Sequence, residues 1–184
     1  YFGYETKAAF DADAFAWDVR KKNGISFKVL NKDEFEKLDN IYKNKFEVVV
    51  ANKNHGKISD PGAYIKKLAQ HFEKNGGTFI KSSVTGLIEN GRSLIGVKTD
   101  GEDILADHII FTLGPWSGDI AKQLGLSVPF ESERGYHIEL VNPSIMPKAP
   151  IMVASGKFVV TPMDGRIRLA GVVEFGGLNA VASK

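Results

Sequence analysis

Residues 106–117 read Ala106-Asp107-His108-Ile109-Ile110-Phe111-Thr112-Leu113-Gly114-Pro115-Trp116-Ser117, an apolar run that enters a glycine turn and leaves it as a helix start. From Ile109 to Leu113 the apolar residues are nearly continuous rather than alternating, which suits a strand covered on both faces. With Ile104, Leu105 and Ala106 this predicts a buried strand over 104–113, followed by a helix around Gly118–Leu124 that stops at Gly125. A glycine between strand and helix lets a ligand approach the backbone amides. The same pattern also serves a packed strand-to-helix loop in which Gly114 is needed only for its backbone. No complete G-x-G-x-x-G fingerprint follows an opening strand, so a dinucleotide pyrophosphate would have to be held by residues outside this sequence.

Working upstream, Asn90-Gly91 and Asp100-Gly101 are tight-turn pairs between short apolar runs. They predict strands over 84–89 and 94–99, with a further strand at Thr78–Ile80. Before these, Ser59 or Asp60 caps a helix with Pro61 in its first turn. Tyr64, Ile65, Leu68, Ala69 and Phe72 recur at helical spacing until Asn75-Gly76-Gly77 ends it. Val48-Val49-Val50 predicts a short buried strand, Ile25–Leu30 another, and Asn31 caps a helix over Glu34–Leu38 with acidic residues in its first turn. Thr6–Lys22 carries a partly helical pattern that closes on Asn23-Gly24.

Downstream, Gly135–Val141, Phe158–Thr161 and Ile167–Glu174 read as strands separated by turns containing Pro and Gly. Sequential strands joined by short turns imply an antiparallel sheet, and the chain as a whole reads as α+β.

The 184 residues are 43% hydrophobic and 25% charged, enough apolar material for a core. Scattered charges and a formal net charge of +2 give no basic stripe, so nucleic acid is not an expected partner. With no cysteine there are no disulfides, thiolate nucleophiles or Cys-based metal sites. No apolar stretch approaches the roughly 20 residues needed to span a bilayer. His55, His71, His108 and His137 show no metal-ligand spacing and no Ser–His–Asp pattern, so no metal site is expected.

Two residues of the C-terminal strands have chemical potential. Tyr136, in Arg134-Gly135-Tyr136-His137, can set a hydroxyl beside a ligand. Arg168 can hold a carboxylate through its planar fork. Both also suit ordinary sheet positions with polar ends in solvent.

These stretches resemble, in order and spacing, the middle of the D-amino acid oxidase-like flavoproteins. The resemblance rests on Ile58-Ser59-Asp60-Pro61-Gly62, Phe79–Leu87, Leu94–Thr99 and Ala106–Ser117. Glu133-Arg134-Gly135-Tyr136-His137 and Thr161–Phe175 look most like the D-amino acid dehydrogenase branch. Two positions depart from the pattern. Thr112-Leu113-Gly114 stands where relatives have Ala-Thr-Gly or Ala-Gly-Gly, and Val172 where they often carry Thr.

The resemblance implies a discontinuous layout, with substrate-domain pieces at 1–54 and 126–184 and an incomplete FAD-binding α/β portion at 55–125. The N-terminal dinucleotide-binding segment and the C-terminal segment are expected to lie outside this chain, leaving the fragment inactive alone and not retaining FAD. By the same resemblance Val84 meets the adenine end of FAD through its backbone, and Thr112, Leu113 and Gly114 pack near the nucleotide half. Tyr136 and Arg168 lie toward the substrate. The implied activity is oxidation of an amino acid, in particular a D-amino acid, to the imino and then the keto acid, with a quinone or another electron acceptor. Oxidation of glycine or sarcosine, and a non-catalytic ligand-binding module, stand as alternatives. The expected location is cytoplasmic, with peripheral attachment to the inner membrane left open.

Overall fold

The computed structural model describes residues 1–183. Its contacts divide into two compact units, Tyr1–Tyr64 with Glu133–Phe175, and Ile65–Ser132 with residues that follow Phe175.

The first unit is built on a seven-stranded sheet. Its strands in chain order are β1 (Phe2–Tyr4), β2 (Phe27–Asn31), β3 (Val48–Asn52) and, later in the chain, Glu133–Val141, Ile151–Val153, Phe158–Met163 and Arg166–Phe175. The pairings are antiparallel except that β1 lies parallel to Ile151–Val153, with Phe2 opposite Met152. Phe2–Tyr4 and Ile151–Val153 escape sequence reading because three-residue strands carry too little pattern to register.

The valine run is buried on both faces because helices cover both. On one face Leu30, Phe35, Phe46, Val49 and Ile151 form a core, and Phe46 lies so close to Gly3 that a Cβ there would come within 2.7 Å of its ring. On the other, Tyr4, Trp17, Val48 and Val50 form a second core, flanked by Phe2, Phe10 and Phe27. Each fully buried valine or isoleucine contributes about 1.5–3 kcal/mol. These faces are called here the Phe35 face and the Trp17 face.

The helices follow local sequence rules. The segment read as one helix, Thr6–Lys22, is two: α1 (Lys7–Ala12), capped by Thr6, and α2 (Ala14–Lys22), ending at Asn23-Gly24. The break falls at Asp13, whose carboxylate accepts the Tyr4 hydroxyl at 2.9 Å and so serves tertiary structure instead of the helix surface. Helix α3 (Lys32–Leu38) begins two residues earlier than expected. A reciprocal capping box fixes that start: Asn31 accepts from the Glu34 amide, and Glu34 accepts from the Asn31 amide, both at 3.0 Å.

The second unit carries a three-stranded antiparallel meander: β4 (Val84–Asn90), β5 (Ser93–Thr99) and β6 (Ile104–Leu105). Helix α4 runs Pro61–Lys74 as its cap and glycine stop require, and α5 runs Ser117–Gln123 before Gly125. One expected strand does not form and another is cut short. Thr78–Ile80 has no ladder partner, and the segment is held instead where Ser82 and the Ser83 amide bond to Asp100. The strand expected over 104–113 stops at Leu105. An all-apolar strand needs neighbours on both edges and cover on both faces; Ile110 is instead 85% exposed.

Candidate functional site

The remaining strands are β7 (Glu133–Val141), β8 (Ile151–Val153), β9 (Phe158–Met163) and β10 (Arg166–Phe175). The sheet order is β2-β3-β1-β8-β9-β10-β7. Directly opposed residues share a face, so the ladder registers assign each side chain. Arg168 opposes Glu139 and Thr161, Ala170 opposes His137 and Val159, and all six stand on the Trp17 face. Between Ala170 and Val172 the β7–β10 register shifts by one residue, leaving Gly171 as a bulge. Gly171 has no room for a side chain, since a Cβ would come within 2.3 Å of the Lys157 carbonyl oxygen.

Arg168 belongs to a chain of polar groups on this face. Its Nη2 lies 3.4 Å from His137 Nδ1. His137 Nε2 is 4.0 Å from Glu139 Oε1, and that oxygen is 3.2 Å from Arg166 Nε. Arg168 and Arg166 thus flank His137 and Glu139 on one face. The two guanidinium groups share this face with a single carboxylate, Glu139. Arg168 Nε is buried without a hydrogen-bond partner, and Arg166 Nε meets Glu139 as an ion pair whose geometry falls short of a hydrogen bond.

Tyr136 lies elsewhere. It opposes Val172, beyond the bulge, and so stands on the Phe35 face. Its hydroxyl donates to Glu174, which also pairs with Arg134 at 3.4 Å. The structure thus places Tyr136 and Arg168 in separate polar groups on opposite faces.

A cavity of about 440 Å³ opens on the Trp17 face. Its floor is Phe2, Met152 and Val159, and its sides carry His55, Lys57, Lys148 and Asn52. Phe2 opposes Met152, Met152 opposes Val159, Val159 opposes Ala170, and Ala170 opposes His137. One unbroken cross-strand row therefore leads from the cavity floor to the neighbour of Arg168. Lys57 Nζ donates to the Pro162 carbonyl at 3.0 Å, and the Lys148 amide donates to buried Asp39 at 2.7 Å, which fixes both walls. The Asn52 amide oxygen is buried without a partner. Sequence reading weighed His55 only as a metal or triad residue and passed over Lys57 and Lys148, because single basic residues in loops carry no pattern; the folded chain brings residues 2, 55 and 152 together around the cavity.

In the second unit, Val84 begins edge strand β4 and is 43% exposed. Thr112 and Leu113 lie in the unpaired stretch before a 3-10 turn at Gly114–Trp116. Gly114 has φ +56°, and nothing stands within 4 Å of where its Cβ would be. The backbone there is open to a ligand, as a nucleotide contact needs. No helix among the described residues is long and apolar enough to cross a membrane.

The model of the DAO family, FAD dependent oxidoreductase, matches residues 2–183. The chain belongs to this family. This FAD-dependent oxidoreductase chain is 33% identical over 177 residues to a D-amino-acid oxidase of Bradyrhizobium diazoefficiens, covering 96% of the chain and 42% of that relative. It therefore spans less than half of that protein. In fold it matches glycine oxidase from Bacillus cereus with a TM-score of 0.82 at 16% identity, covering 99% of this chain and 50% of that one. It matches L-proline dehydrogenase from P. horikoshii with a TM-score of 0.76 at 17% identity, covering 100% and 50%.

Proposed function

We propose that the full-length protein oxidises an amino acid, a D-amino acid foremost, to the imino acid, and that Arg168 anchors the substrate carboxylate. The observation that carries this is the unpartnered, buried Nε of Arg168, on the same sheet face as the cavity and in a group of two cations and one carboxylate. Kinship with a D-amino-acid oxidase at 33% identity supports the D-configured substrate.

The chain's own residues bind and orient. Arg168 takes the carboxylate through its fork, while His137 holds one arm of that fork in place. The apolar floor of Phe2, Met152 and Val159 excludes water beside the reacting carbon. Bound FAD supplies the acceptor for the hydride that leaves the α-carbon. The amine proton passes to solvent, and water then hydrolyses the imine to a keto acid and ammonia. Residues 1–54 and 126–184 are assigned to the substrate side and 55–125 to the flavin side. There Val84, Thr112, Leu113 and Gly114 are the residues assigned to the nucleotide half, and the open backbone at Gly114 fits that role. Tyr136, whose hydroxyl bonds Glu174 on the opposite face from Arg168, keeps its assignment toward the substrate as a second candidate contact.

The test is the visible spectrum of the full-length protein before and after anaerobic addition of D-amino acids, glycine and sarcosine. Bleaching of flavin bands by D-amino acids is the expected result. Bleaching by glycine or sarcosine alone would move the substrate to those amines, and a full-length protein that cannot be loaded with FAD would end the enzyme reading.

A further inference from the structure

We propose that Asn90 is a site of spontaneous covalent modification, at which the side-chain amide is lost to attack by the Gly91 backbone nitrogen, leaving aspartate or isoaspartate at the tip of the β4–β5 hairpin.

The residue pair sets the chemistry. Asparagine is thermally labile, and a following glycine has no side chain to crowd its backbone nitrogen as a nucleophile. The Gly91 nitrogen bonds to Asn90 Cγ and gives up its proton, while the bond from Cγ to Nδ2 breaks and ammonia leaves. Water then opens the cyclic imide. Opening at the side-chain carbonyl gives aspartate, and opening at the main-chain carbonyl gives isoaspartate, in which the backbone runs through the side-chain carbons. In sum, amide and water become acid and ammonia, with no oxidant or reductant.

The sequence holds three such pairs, Asn23-Gly24, Asn75-Gly76 and Asn90-Gly91, all of them exposed. Hydrogen bonding separates them. Asn23 Nδ2 donates to the Val19 carbonyl at 2.8 Å, and the Gly24 amide donates to the Lys21 carbonyl at 3.1 Å. Asn75 Nδ2 donates to the His71 carbonyl at 2.7 Å, and the Gly76 amide donates to the Glu73 carbonyl at 3.0 Å. In both pairs the leaving group and the nucleophile are tied to a helix end, which has to open before the ring can close. Among the described residues, neither the Asn90 carboxamide nor the Gly91 amide has a hydrogen-bond partner. Gly91 stands at φ +62° with nothing within 4 Å of where a Cβ would lie, so no neighbouring group obstructs the ring. Asn90 and Ser93 form the last pair of the β4–β5 ladder, and the register shifts between Ile88 and Glu89 just behind them. Such an end opens locally at low cost. Isoaspartate lengthens the main chain at that last pair, and either product sets a new negative charge beside Glu89.

The experiment holds the full-length, flavin-loaded protein at mildly alkaline pH, below its unfolding midpoint, and follows residues 23, 75 and 90 by peptide mapping with mass spectrometry that separates aspartyl from isoaspartyl forms. Asn90 is expected to convert at least about fivefold faster than Asn23 or Asn75, since those two must first give up hydrogen bonds that Asn90 and Gly91 do not make. In urea, where all three pairs are unfolded, the rates are expected to converge to within about twofold. Asn90→Gln, whose longer side chain closes a ring far more slowly, is expected to remove the product from its peptide. Equal rates in the folded protein, faster conversion at Asn23 or Asn75, or no conversion at Asn90 over the time in which the unfolded chain reacts would overturn the proposal. So would a fivefold preference that survives in urea, because it would then come from sequence alone, or a modified peptide that persists in Asn90→Gln.

Discussion

Arg168 and Tyr136 project from opposite faces of the same two-strand ladder, because Arg168 opposes Glu139 on the Trp17 face and Tyr136, three residues from Glu139 on the regular strand β7, points the other way; the Gly171 bulge brings Val172 and Glu174 round to the face of Tyr136. They share no partner: Arg168 meets His137, and Tyr136 meets Glu174. In the full-length enzyme, Arg168→Leu and Tyr136→Phe are therefore expected to be additive in kcat/KM, with a coupling below about 0.5 kcal/mol. Arg168→Lys, which keeps the charge and loses the fork, should raise KM about tenfold with a smaller change in kcat. A coupling above about 1 kcal/mol would mean the two act on one group after all.

Gly171 tests the bulge. A methyl there meets the Lys157 carbonyl oxygen at 2.3 Å and the Phe158 Cα at 2.5 Å, both backbone atoms that cannot swing aside. Gly171→Ala should cost about 1–3 kcal/mol in urea unfolding. Gly135→Ala, on the neighbouring strand with nothing within 4 Å, is the control and should stay within about 0.5 kcal/mol.

Tyr4 makes stability fall at high pH. Its hydroxyl accepts from Trp17 Nε1 at 2.7 Å and donates to Asp13 at 2.9 Å. Burial, first, and the bond to the Asp13 carboxylate hold the phenol above its ordinary value of 10.0. A raised folded pKa means the contribution is complete below pH 10.0 and is lost as pH climbs from there through the folded value. Tyr4→Phe should lower stability at neutral pH and flatten that alkaline decline, measured as thermal midpoints from pH 8 to 11.

The capping box of α3 gives an acid-side counterpart. The Asn31 amide, and then Lys28, hold the Glu34 carboxyl below its ordinary 4.5. Its contribution is present above that value and disappears as pH falls through the lower folded one. Asn31→Ala should cost about 1 kcal/mol at neutral pH. Glu34→Gln should remove the associated loss between pH 5 and 3.

Much of the fold was legible where local rules act alone. Asn31 and Glu34 announced a capped helix, Pro61 and Gly76 bounded another, and Asn90-Gly91 marked the β4–β5 turn. Sequence reading failed where the outcome depends on a distant partner. Ile109–Leu113 has a strand's composition but no ladder beside it, and Asp13 breaks a helix to reach Tyr4. For the site, Arg168 and Tyr136 were visible as residue types, but their separation was not. Tyr136 and His137 are neighbours on β7 and face opposite ways, but which of them shares a face with Arg168 depends on the β7–β10 register, which no letter marks.

The parallel pairing of β1 with β8 sets a timetable for making the protein. Phe2–Tyr4 is an interior strand, yet its partner on one side lies about 150 residues later in the chain. At a synthesis rate of roughly 5–20 residues per second, that edge waits on the order of 8–30 s for Ile151–Val153 to appear. During that interval β2, β3 and β1 can pair among themselves, leaving the row that will floor the cavity open to any strand that arrives first. The surface assigned to substrate is thus among the last parts of the sheet to be closed.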